Sequence, residues 1–199
     1  MTRTPLGLVP YVVAVGAIAA GLLWYAAPSA PALGGAEISG AASIGGPFAL
    51  VDQNGTLRHS SDFRGRFMLV YFGYSYCPDI CPTTLALMAD ALGRLGPKAG
   101  RIVPIFITVD PARDTPPVLK AYLKAFGGRF VGLTGDGPAV AAAAQAYRVY
   151  YRRHPLRGGG YAMDHSSTIY LMGLDGKFLA NYDQSMDPAA LAAALRAHL

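Results

Sequence analysis

Tyr71-Phe72-Gly73-Tyr74-Ser75-Tyr76-Cys77-Pro78-Asp79-Ile80-Cys81-Pro82 decides how the chain is read. An apolar, aromatic run breaks here into a loop that holds both cysteines of the protein. Cysteines at i and i+4 stand one helical turn apart, with Cβ atoms roughly 5–6 Å from each other. That spacing suits a soft metal held between two sulfurs, or a disulfide after modest rearrangement.

Outward from the loop the pattern is that of an α/β domain. Upstream, Arg66 to Gly73 is a continuous apolar run and reads as a buried strand. Downstream, Leu85, Met88, Ala89, Leu92 and Leu95 place a helix over Thr83 to Leu95. Ile102 to Val109 is a second buried strand, with Pro104 marking its early edge. Asp114-Thr115-Pro116-Pro117 reads as an N-cap with proline in the first turn of a helix that runs to Phe126 and stops at Gly127-Gly128. Phe130 to Leu133 is a short strand, Pro138 to Arg148 an alanine-rich helix, and Val149 to Tyr151 strand-like. Arg152 to Gly160 reads as a basic, glycine-rich loop. Thr168–Met172 and Phe178–Tyr182 flank Asp175-Gly176, a hairpin signal, and Asp187-Pro188 opens a last helix. A first hairpin, Phe48–Gln53 and Thr56–Arg58, turns at Asn54-Gly55. Parallel units followed by an antiparallel hairpin predict an α/β sandwich with a central mixed sheet.

The N-terminal part has a different character. No charged residue occurs from Thr4 to Ala36, and its apolar core is residues 10–27. Eighteen helical residues span about 27 Å, close to a bilayer core of about 30 Å. Trp24 and Tyr25 stand at the end of the run, where amphipathic rings favour the interface, and Arg3 precedes it. The expected organisation is a short cytoplasmic N-terminus (1–9), a transmembrane anchor (10–27), a flexible Ala/Gly/Ser/Pro linker (28–45) and one exported domain (46–199). A cleaved signal peptide is the rival, with Ala30-Pro31-Ala32 as its cleavage site. The net charge of +5 includes no long basic run, which argues against a nucleic-acid footprint.

Function in such sheets collects at the carboxyl ends of strands, where Cys77 falls. Cys81 falls in the first turn of the following helix, where N–H groups and the dipole favour a thiolate. A thiolate pair selects copper(I) or zinc and leaves room for a third ligand. Of the four histidines, His59, His154, His165 and His198, the candidate is His165, in Met163-Asp164-His165-Ser166-Ser167. The strand order brings the loop before the last hairpin close to the cysteine loop.

Several neighbours carry two readings. Asp79 tunes charge between the cysteines or caps the helix. Asp164 orients the imidazole or forms a turn. Asp110 faces the site or caps the turn after its strand. Met163 is a soft donor or a packing residue. Tyr74 and Tyr76 form a docking face or core. Arg148, Arg152, Arg153 and Arg157 meet an acidic partner or are simply solvated.

The element order with a cysteine loop after the first central strand is similar to thioredoxin-like proteins. Within them the sequence resembles the Sco (SenC) family of copper-binding assembly factors for cytochrome c oxidase. Tyr71 to Pro82, then Thr108-Val109-Asp110-Pro111 through Arg113-Asp114-Thr115-Pro116, then Asp164-His165-Ser166 carry the resemblance, which covers residues 46 to 199 and the anchor. It implies a thioredoxin-like sandwich with copper on Cys77, Cys81 and His165. It implies a role in building the CuA centre of oxidase subunit II, with a periplasmic copper donor or thiol reductant as a further partner. It implies a place on the bacterial inner membrane with the domain facing the periplasm. The alternative is a thiol-disulfide reductase that uses Cys77 and Cys81 to keep the CuA cysteines reduced. Thioredoxins set a cis-proline opposite their cysteine pair. This chain has no proline between Pro155 and Pro188 and offers His165 there instead.

Overall fold

The computed structural model describes residues 44–199; the expected N-terminus, anchor and nearly all of the linker lie outside the described residues. Among the described residues no helix is long and apolar enough to cross a membrane.

Among the described residues, nine strands, four α-helices and two short 3-10 helices make up the domain. The strands are β1 (Ala49–Asp52), β2 (Leu57–His59), β3 (Phe67–Gly73), β4 (Ile102–Thr108), β5 (Val131–Thr134), β6 (Tyr151–Pro155), β7 (Tyr161–His165), β8 (Thr168–Met172) and β9 (Phe178–Asp183). The helices are α1 (Ile80–Arg94), α2 (Pro116–Lys124), α3 (Gly137–Ala146) and α4 (Pro188–Arg196). Seven strands form one mixed sheet in the order β2-β1-β5-β4-β3-β8-β9. β3, β4 and β5 run parallel, and β1 and β8 join them antiparallel. Every residue of β3 and β4 is buried, as expected of central strands covered on both faces. Pro104 is tolerated in β4 because the pairing with β5 begins only at Ile105.

Helix ends follow their caps. Asp136 accepts from the Ala139 N–H at 2.7 Å and Asp187 from the Ala190 N–H at 2.9 Å, each ahead of a proline in the first turn. α1 packs on α4, α2 on β5 and α3 on β1.

Three local expectations are corrected. α1 starts at Ile80, a turn earlier than its apolar periodicity, because Cys81 is itself a core residue. Asp114 does not cap α2; Thr115 holds that position and the Asp114 carboxylate turns inward. The basic stretch from Arg152 is not a loop. β6 and β7 pair antiparallel from Tyr151↔His165 to Pro155↔Tyr161 as a separate two-stranded sheet, and the loop is only its tip. The arginines there hide a strand because β6 carries polar residues on its outer face and Arg153 on its inner one.

Candidate metal centre

The site is assembled where three chain segments meet at the carboxyl end of β3. Gly73 pairs in register with Thr108, so the loops leaving β3 and β4 are neighbours. β8 enters the sheet antiparallel to β3, with Ile169 opposite Tyr71, so the residues just before β8 lie over that same end. The sulfurs of Cys77 and Cys81 and a ring nitrogen of His165 lie within 4.8 Å of one another. Both cysteines are free thiols, Cys77 half-buried and Cys81 buried.

Each member is held from behind. Cys81 Sγ lies 3.3 Å from His165 Nε2, and the Tyr71 hydroxyl donates to it at 3.8 Å. Space for this sulfur depends on Gly73, where a Cβ would stand 2.8 Å from Cys81 Sγ and 3.0 Å from the Phe106 ring. His165 Nδ1 lies 3.0 Å from the Ser166 carbonyl. With Nδ1–H donated there, Nε2 presents a lone pair to the sulfurs. The rings of Tyr71 and Tyr74 meet the imidazole edge-on at 6.2 and 5.8 Å.

The two thiols divide their roles. Cys77 Sγ accepts the Cys81 N–H at 3.4 Å. The Cys81 thiol, donating to it, holds the Cys77 pKa far below the ordinary thiol range, and His165 and the backbone N–H groups of Asp79 and Cys81 add to this against the cost of partial burial. That same hydrogen bond and deep burial push Cys81 up, so Cys81 keeps the proton. The first-turn N–H groups of α1 therefore favour a thiolate on Cys77, and not on Cys81 as its helical position suggests. Burial above all raises Tyr71, which stays a neutral donor.

The other expected residues sort by strand alternation. His165, Met163 and Tyr161 share one face of β7, and Asp164 points the other way. The Asp164 carboxylate meets His154 at 3.2 Å and Arg152 at 3.7 Å, and the imidazole takes the Ser166 carbonyl in its place. Asp79 occupies the N-cap position of α1 with no capping side-chain bond, and it reaches Cys77 through its backbone. Met163 is buried in the core. Tyr74 is buried and Tyr76 is 59% exposed, so in this loop they do not share a face. Arg148 ends α3 with a positive φ of 58°, and Arg153 stacks on the Tyr161 ring at 3.6 Å. His59 and His198 are exposed, away from the centre.

Asp114 is the supporting residue that its helix-start pattern concealed. Its carboxylate is fully buried and accepts from the Ser75 N–H at 3.0 Å, the Ser75 hydroxyl and the Thr108 hydroxyl at 2.6 Å. It thereby pins the cysteine loop to the end of β4.

This sheet, with a cysteine pair at the end of its central strand and an imidazole facing it, defines a thioredoxin-like protein in which histidine stands opposite the thiols. The chain matches SCO1/SenC over residues 36–199 and belongs to that family. It is 42% identical over 149 residues to an SCO2-like protein of Rickettsia felis, covering 73% of this chain and 72% of that one. It is 39% identical over 159 residues to the mitochondrial SCO1 homologue of Mus musculus, covering 78% of this chain and 56% of the mouse protein. Bradyrhizobium japonicum ScoI, solved with copper bound, superposes with a TM-score of 0.74 at 42% identity, over 79% of this chain and all of that one.

Proposed function

We propose that the protein is a membrane-anchored copper carrier that loads the CuA centre of cytochrome c oxidase subunit II. One observation carries this reading: Cys77, Cys81 and His165 Nε2 converge while Nδ1 is engaged elsewhere. The donor set fits copper. Three donors at metal bonds of about 2.0–2.3 Å stand about 3.5–4 Å apart. These lie within 4.8 Å of each other before any ion is bound. Two sulfurs and one imidazole are soft enough for copper(I), and the imidazole adds the nitrogen that copper(II) prefers. The copper bound by Bradyrhizobium japonicum ScoI supports the same cargo. Cys77 offers a ready thiolate, and Cys81 releases its proton as the ion enters.

The second reading is thiol-disulfide exchange on the oxidase cysteines, favoured by the low-pKa, half-buried Cys77 beside a resolving thiol. One experiment separates the two. In cells lacking the protein, the oxidase should assemble with CuA cysteines that are reduced but copper-free. Disulfide-bonded CuA cysteines in those cells would make reduction the primary role and displace copper delivery.

The uncharged run 10–27 supports an uncleaved anchor, a linker over 28–45 and a domain on the periplasmic side of the bacterial inner membrane. There the domain would meet its copper donor or reductant and the oxidase subunit. A reporter fused after Leu199 should be active only outside the cytoplasm, and the mature protein should retain Trp24. A mature chain starting at Leu33 would show cleavage instead.

A further inference from the structure

His165 is carried by a piece of structure that the main sheet does not hold. β6 and β7 pair only with each other among the described residues. A lone two-stranded ribbon is marginally stable in water, so something must fix it to the domain. The inner face of the ribbon carries Tyr161, Met163 and His165 on β7, with Arg153 opposite Met163 on β6. Near the base, Ser166 and Tyr150 exchange bonds: Ser166 N–H to the Tyr150 carbonyl at 2.9 Å, and Tyr150 N–H to the Ser166 hydroxyl at 3.1 Å. Met163 buries its side chain in the core. Those contacts leave the far end, about 13 Å along the strand from His165, to a different device.

That device is built on Arg113. Its Nη1 donates to the Tyr161 carbonyl at 3.0 Å, and its guanidinium lies 3.7 Å from the centre of the Tyr161 ring. Its Nε is paired with the buried Asp110 carboxylate. The other oxygen of Asp110 accepts the Tyr161 hydroxyl at 2.8 Å. Tyr161 is thus gripped at backbone, ring face and hydroxyl by two residues from the loop after β4. On its other side the ring is stacked by Arg153 of the same ribbon. Asp110 has its own anchor, since its N–H donates to the Thr108 hydroxyl at 2.9 Å. Thr108 also donates to Asp114, which holds the cysteine loop. One hydrogen-bonded path therefore runs from the loop that carries the thiols to the ribbon that carries the imidazole. Arg is needed rather than Lys because the grip uses a fork of donors and a flat cation at once.

We propose that Arg113, with Asp110 and Tyr161, is a clasp that holds the β6–β7 ribbon against the domain and so positions His165 at the thiol pair. It touches no donor atom and acts through the ribbon. The inference rests on the copper reading of the site. The clasp sets whether the centre offers three donors or only the two sulfurs. Copper(I), which two thiolates alone can hold, depends on it little, and copper(II) depends on it more.

The test uses Arg113→Lys and Tyr161→Phe in the full protein, with His165→Ala and the outer-face Arg152→Gln beside them. In metal-free protein, hydrogen exchange at the β7 amides should speed up about tenfold in Arg113→Lys and less in Tyr161→Phe. Copper(II) affinity should fall about tenfold in Arg113→Lys, as for loss of an outer partner of a ligand, with copper(I) affinity changed by less than about twofold. Arg152→Gln should match the parent in all three. Unchanged β7 exchange, or equal losses for copper(I) and copper(II), would overturn the clasp. If His165→Ala binds copper(II) as the parent does, the ligand reading fails by itself, and β7 exchange still decides whether the clasp holds the ribbon.

Discussion

Cys77→Ser and Cys81→Ser should each lower copper(I) affinity by about a thousandfold or more, well beyond the roughly 10–100-fold that follows loss of an outer partner. A serine hydroxyl stays protonated at neutral pH and is a hard donor, so either change leaves one sulfur and one imidazole for a soft ion. The two variants should differ in a second respect. Cys77 is half-buried and carries the thiolate, whereas Cys81 is a core residue packed beneath Gly73, Tyr71 and Phe106. Cys77→Ser should therefore unfold at nearly the parent temperature. Cys81→Ser places a smaller, more polar group in an apolar pocket and should cost about 1–2 kcal/mol as well. Competition with a copper(I) chelator and thermal denaturation read the two effects. Parental copper(I) affinity in either variant would remove that cysteine from the centre.

Asp114→Ala should be the most destabilising single change near the site that touches no donor atom. It leaves the Ser75 N–H, the Ser75 hydroxyl and the Thr108 hydroxyl without their acceptor at a buried position. Unsatisfied buried groups of this kind sum to about 3 kcal/mol, or a fall in Tm of about 6–12 °C for a domain this size. Asp114→Asn keeps an oxygen for the two donors that share Oδ2 and turns an amide toward the Ser75 hydroxyl, which also accepts. It should cost only about 1 kcal/mol. Burial holds the Asp114 pKa above the ordinary carboxylate range. A folded-state pKa that is raised adds stability below the unfolded value, and this is lost as the pH rises through the folded value. The parent should therefore gain on Asp114→Asn as the pH falls from neutral. Equal Tm values for Asp114→Ala and Asp114→Asn would show that the carboxylate holds nothing in place.

The legible part of the fold is the part in which local pattern and tertiary role agree. β3 and β4 are continuous apolar runs because both of their faces are covered, and Asn54-Gly55 and Asp175-Gly176 turn where hairpins need them. Asp187 both looks like a cap and is one. Asp114 has the same look and does something else, because Thr115 serves the helix and three donors from Ser75 and Thr108 claim the carboxylate. Residue type alone cannot tell those two fates apart. The ribbon β6–β7 was hidden for a related reason. Its arginines are exposed residues of a strand, Arg152 beside Asp164 and Arg153 on the Tyr161 ring, and such a polar stretch reads as a loop.

At the centre, Cys77, Cys81 and His165 could be singled out by chemistry and strand order, and the structure brings their donor atoms together. What supports them could not. The Ser166 carbonyl that engages Nδ1 is a backbone group, and every residue has one. Gly73 matters for the absence of a side chain, and the distance it preserves exists only after folding. The adjacency of Asp164 and His165 in sequence suggests a partnership that the two-residue period of a strand forbids.

X-ray absorption at the copper edge, on the reduced protein loaded with one equivalent of copper(I), reads the donor set itself. Two sulfur neighbours and one imidazole nitrogen are expected, with the nitrogen signal lost and both sulfurs kept in His165→Ala. A first shell without two sulfurs, or an imidazole signal that persists in His165→Ala, would contradict it.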